Sequence, residues 1–227
     1  MDQRISRSGF YGKVASHGDF ISRRLSPAFL HTWDQWLQEG LTSSRECLGE
    51  QWQATYLCSP IWRFALASGV CGEPAWAGVL MPSVDRVGRC FPLTLAYGGP
   101  PVSALERLRE DGDWYAELEA LALSTLEVEF CLSAFDNALL SLREPSRGTS
   151  PMLERSRTTS PGECWLELPE GQRWEEWLRS LELNESSARA LFWTDGSPQL
   201  PPSLLVCSGL PGERTFAGML GGRRPRP

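Results

Sequence analysis

Three short apolar runs, SPIWRFAL (59–66), WAGVLMPS (76–83) and FPLTLAY (91–97), constrain this chain more than any other feature. Proline and glycine bound them, so none has room for a stable helix, and their aromatic and branched residues suit a pleated surface. A run that is apolar at both alternating sets of positions leaves no side for water. The expectation is strands buried on both faces. The segment joining the last two runs, VDRVGR (84–89), is polar and turn-like.

Helical patterns lie on either side of these strands. Ser26 is placed to cap a helix that has Pro27 at its first position and Leu30, Trp33, Leu37 and Leu41 at helical spacing, which predicts a helix over 27–47. From Val102 to Leu142 apolar residues recur three to five apart, predicting two or three further helices. CWLEL (164–168) reads as a strand, followed by a short helix carrying Trp174, Trp177 and Leu181, then strands at 190–194 and 203–208. Residues 143–163 abandon periodicity for Pro, Ser, Thr, Gly and Arg, which predicts a mobile loop, and the tail 221–227 reads as disordered. Strands on both sides of a helical block favour one α/β domain over 1–227, built on a single mixed sheet with helices on both faces.

Composition narrows the function. The 227 residues carry a net charge of -6, a poor basis for a dedicated nucleic-acid binder, whose affinity grows with the cations it presents. Seven cysteines are scattered without a CxxC pair, and two histidines exclude most histidine-rich metal sites. The expectation is no cofactor and no metal. The N-terminus lacks an apolar signal core and no run is long enough to span a bilayer, so a cytoplasmic protein is expected. Charge is uneven: residues 1–26 hold five basic and two acidic groups, whereas 106–129 hold two basic and eight acidic ones.

No phosphate loop, dinucleotide turn, HExxH or GxSxG motif is present. A hydrolase would have to join His17 to Ser83 or Ser59 and to Asp85, with nothing local to present a nucleophile or an oxyanion hole. SHGDF (16–20) otherwise reads as a turn in which Asp19 accepts backbone N–H groups and Gly18 takes an unusual dihedral. In MPSVDRVGRCFPL (81–93), Asp85 with Arg86 and Arg89 is either an ion-paired turn fixing the strand connection or a fork of guanidiniums offered to a partner's carboxylate or phosphate. Thr149, Ser150, Thr158, Thr159 and Ser160 stand among arginines, where phosphorylation would create a site for an adaptor.

The blocks GFYGKVASHGDFISRRLSPAFLHTWDQWLQEGL (9–41), SPIWRFALASGVCG (59–72) and WAGVLMPSVDRVGRCFPLTLA (76–96), in this order, closely resemble the TagF family, also called ImpM, of type VI secretion-associated proteins. PPSLLVCSGLP (201–211) is similar to that family's C-terminal end. The resemblance implies a three-layer α/β sandwich and a cytoplasmic, non-enzymatic, post-translational repressor of the secretion system. Its implied partner is the forkhead-associated scaffold protein of the apparatus. In some bacteria a TagF-like region is fused to a phosphoprotein phosphatase; here any phosphatase is expected to be a separate protein. The resemblance brings no catalytic residues. The partner-binding candidates are His17, Asp19, Arg23, Arg24, Ser83, Asp85, Arg86 and Arg89, with membrane insertion and nucleic acid not expected.

Overall fold

All three apolar runs are strands. In chain order the elements are β1 (Ser8–Gly12), β2 (Ile21–Arg23), α1 (Pro27–Leu48), α2 (Trp52–Leu57), β3 (Trp62–Leu66), β4 (Ala75–Met81), β5 (Leu93–Gly99), α3 (Ala104–Glu110), α4 (Gly112–Ser124), α5 (Leu132–Ser141), β6 (Cys164–Glu167), α6 (Trp174–Ser180), β7 (Ala190–Thr194), β8 (Ser203–Cys207) and α7 (Glu213–Met219). The structure, a computed structural model, describes residues 8–146, 162–181 and 188–221. Most of the loop expected at 143–163, with its five hydroxyl residues, and the tail beyond residue 221 lie outside the described residues.

The strands form one eight-stranded sheet in the order β2-β1-β5-β4-β3-β7-β8-β6. Every pairing is antiparallel, which corrects the expectation of a mixed sheet. β4 and β5 are buried at every position, as their continuous apolar sequence predicts. Such runs are typical of parallel strands, but the cause is coverage of both faces, which an antiparallel strand experiences equally.

Side-chain alternation sends the central strands into two cores. In β3, Trp62, Phe64 and Leu66 join Phe29, Trp33 and Leu37 of α1 and Phe216 of α7. Ala65 points the other way, into a second core with Leu105 of α3, Trp114, Tyr115 and Leu118 of α4, and Phe135 and Leu139 of α5. Helices therefore cover both faces. No helix among the described residues is long and apolar enough to cross a membrane.

Helix α1 starts as expected: the Ser26 hydroxyl accepts the Phe29 N–H at 3.2 Å, and Pro27 occupies the first turn, where no intrahelical donor is lost. Its buried tryptophans bind the layers through their single polar atom. Trp33 Nε1 donates to Thr94 Oγ1 of β5 at 2.9 Å, and Trp36 Nε1 donates to the Pro211 carbonyl at 2.8 Å. A buried indole left without such an acceptor would carry an uncompensated donor.

Candidate functional site

The segment after β1 and the turn between β4 and β5 meet at one end of the sheet, and one carboxylate holds them there. Asp85 Oδ1 accepts the amides of Val87 at 3.0 Å and Arg89 at 2.9 Å. Its Oδ2 accepts Lys13 Nζ at 3.0 Å and Arg89 Nε at 2.6 Å. The first pair closes the turn on itself and the second ties it to a residue 72 positions earlier. Gly88, at φ 84, takes the left-handed conformation that the tight turn requires.

Further bonds complete the frame. The Arg86 amide donates to the His17 carbonyl at 2.9 Å, and Arg89 Nη2 donates to the Gly18 carbonyl at 2.6 Å. Ser83 Oγ donates to the Lys13 carbonyl at 2.7 Å. Tyr56 of α2 closes the ring, donating its hydroxyl to the Ser83 carbonyl at 2.8 Å while accepting the Ser83 amide at 2.9 Å. The Asp85 side chain has 0% of its surface exposed and that of Lys13 has 9%. Burial by itself would raise the Asp85 carboxyl. The Arg89 amide, the Lys13 ammonium, the Arg89 guanidinium and the Val87 amide outweigh it and hold the group well below the usual carboxylate range.

Aromatic rings continue the frame outward. Phe20 stacks on Tyr11 at 5.6 Å between centroids and meets Phe91 edge-on at 4.7 Å, while Lys13 Nζ lies 5.2 Å from the Phe20 ring centre. Tyr11 in turn donates to Asp34 of α1 at 2.5 Å. Phe20 still leaves 48% of its surface in solvent and Val87 leaves 69%. Arg86 is exposed beside Val87, and among the described residues its guanidinium has no ion pair.

The sequence candidates thus separate by role. His17, Asp85, Arg86, Arg89 and Ser83 come together, with Ser83 and Asp85 buried inside the frame and Arg86 on its outer surface. Asp19 and Arg23 are exposed. Arg24 is drawn elsewhere: it donates to the Ser8 carbonyl at 2.9 Å and pairs with Asp136 of α5 at 2.5 Å, held at φ 59. Gly18 does not take the unusual dihedral expected of it, since its φ is not among the positive ones. Lys13, the chain's single lysine and a keystone of the frame, was not among the candidates. Only its uniqueness in the composition marked it.

The components imagined for a hydrolase have other partners. The Ser83 hydroxyl serves the Lys13 carbonyl, Asp85 serves Lys13 and Arg89, and the Ser59 hydroxyl donates to the Tyr56 carbonyl at 2.6 Å. His17 Nδ1 lies 2.9 Å from its neighbour Ser16 Oγ. A cleft of about 500 Å³ opens between α1 and α7, lined by Trp36, Glu39, Glu163, Arg214 and Thr215 among others, and none of the two-loop residues reaches it. Among the described residues no group of three or more His, Cys, Asp or Glu is placed to hold a metal ion.

Over residues 9–142 the chain matches the family model described as the TagF N-terminal domain, type VI secretion system-associated. Among solved structures it is similar to the crystal structure of PA0076 from Pseudomonas aeruginosa PAO1. The two share 36% sequence identity and a TM-score of 0.76, with 97% of each chain covered. No curated protein matches.

Proposed function

Because this chain belongs to the TagF family of type VI secretion system-associated proteins, we propose that it is a non-enzymatic, cytoplasmic repressor that acts after translation by binding the forkhead-associated scaffold protein of the apparatus. The surface around Phe20, Arg86 and Val87 makes the contact. The observation that carries this reading is the investment of buried Asp85 and Lys13 in a frame whose outer face displays an aromatic ring, an aliphatic side chain and a guanidinium that has no ion pair among the described residues. Binding hot spots have this composition, being enriched in aromatic residues and arginine, and a fixed frame lowers the ordering cost of association.

A hydrolytic role has less support, since Ser83 and Asp85 are occupied with backbone and ion-pair partners. The two cores on opposite sides of the sheet support reading the fold as a three-layer α/β sandwich.

The proposal is tested in a bacterium with an active type VI system. Raising the level of this protein is expected to lower secreted effector without changing transcripts of the apparatus, and Phe20→Ser/Arg86→Glu at equal abundance is expected to relieve that repression. Secretion indifferent to both deletion and overproduction of the protein would refute the regulatory reading.

A further inference from the structure

Between Arg109 and Arg143 the chain contains no Lys, Arg or His but eight acidic residues. The fold neutralises three of them with arginine brought from elsewhere or from the preceding helix: Asp111 with Arg107, Glu119 with Arg63, and Asp136 with Arg24. Glu127 and Glu129, in the connection from α4 to α5, are exposed and have no ion pair among the described residues. Large apolar side chains interleave with them. Leu123 is 48% exposed, Leu126 57% and Val128 103%.

This is a shaped feature of the surface. The Leu126 amide donates to the Leu123 carbonyl at 3.0 Å, the Glu127 amide to the Ser124 carbonyl at 3.2 Å, and the Phe130 amide to the Glu127 carbonyl at 3.2 Å. Buried Thr125 turns its hydroxyl inward to the Ala122 carbonyl at 2.7 Å. Flanking Leu121, Phe130 and Leu132 pack on the core. The turn is anchored on its inner side while its aliphatic residues stay outside. Single exposed aliphatics are ordinary on protein surfaces, whereas here three are exposed within six consecutive residues of one anchored turn.

We infer that the turn Leu123–Glu129 is a second docking surface, separate from the two-loop one, and that its occupant is a cationic, amphipathic segment of another protein. Charge complementarity fixes the sign: the occupant must supply the cations that this stretch of chain lacks. Size excludes a large flat partner, because one turn falls well short of the roughly 800 Å² per side of a standard interface. Leucine and valine knobs rimmed by carboxylates fit a segment that is apolar on one face and basic on the other, and a field of one sign steers it in at low salt.

Fluorescence anisotropy of the full chain with a labelled amphipathic Leu/Lys peptide tests this, with a Leu/Glu peptide of the same pattern as control. The expected result is salt-sensitive binding of the Leu/Lys peptide only. It should weaken by about tenfold or more in Leu126→Ser/Val128→Ser and again in Glu127→Arg/Glu129→Arg, and stay unchanged in Arg86→Glu. Equal binding by wild type and both turn variants, or none by wild type, overturns the proposal. So does self-association in sedimentation that Val128→Ser abolishes, which would assign the turn to a second copy of the chain.

Discussion

Asp85 accepts four hydrogen bonds, two from amides and two from cations, while its side chain exposes no surface to water. A carboxylate so surrounded binds its proton more weakly in the folded chain than in the unfolded one, where an aspartate titrates near about 3.9. The stability it contributes is therefore fully present above about pH 4 and declines as pH falls from there towards the lowered folded value. Asp85→Asn is expected to lower the melting temperature at neutral pH, with the gap to wild type narrowing as the pH drops below about 4. A gap independent of pH would contradict the ion-paired frame. Lys13→Met is expected to be destabilising as well, since it strips the buried carboxylate of a cation, whereas exposed Arg86→Ala is expected to leave melting nearly unchanged. The turn Val84–Arg89 was legible, and an ion pair inside it was one of two readings of its charges, because these residues lie within six positions. Lys13 was not, because a partner 72 positions away leaves no local signal.

At the scale of elements, α1 and α7 meet across one glycine. A methyl at Gly40 would lie 2.4 Å from the Phe216 ring, far inside van der Waals contact, while Phe216 itself packs edge-on to Trp36 at 5.2 Å. Alanine is the better helix former by about 1 kcal/mol, yet the clash wins and Gly40→Ala is expected to cost about 1–3 kcal/mol in urea denaturation. Phe216→Leu in the same chain should recover part of that loss, and a Gly40→Ala variant as stable as wild type would contradict the close packing. Helix α1 could be bounded from sequence because its cap, proline and apolar spacing agree. The short elements could not: β1 is interrupted by Gly9, β2 has three residues, and α7 has only seven and no side-chain cap bond. Their structure comes from pairing and packing, as when Phe10 of β1 aligns with Leu95 of β5, and tertiary contacts of this kind leave little periodicity to read.

Across the whole molecule, the uneven charge seen in the sequence is partly folded away. Arg24 from the basic N-terminal segment pairs with Asp136 on α5, and Lys13 turns inward to Asp85. Among the groups that stay outside are Arg86 with Phe20 and Val87 on the frame, and Glu127 and Glu129 with their aliphatic neighbours on the α4–α5 turn, alongside exposed Glu110, Asp113 and Glu117. The family blocks at 9–41 and 76–96 were recognisable one by one; that they converge on a single surface required the sheet, whose order puts β1 beside β5. The central claim is that this surface binds the scaffold, and calorimetric titration of the purified chain against the forkhead-associated scaffold protein of the same organism tests it directly. Saturable binding by wild type is expected, with a loss of at least about tenfold in affinity for folded Phe20→Ser/Arg86→Glu. Wild-type binding that this variant leaves intact, or no heat of binding at all, would contradict the claim.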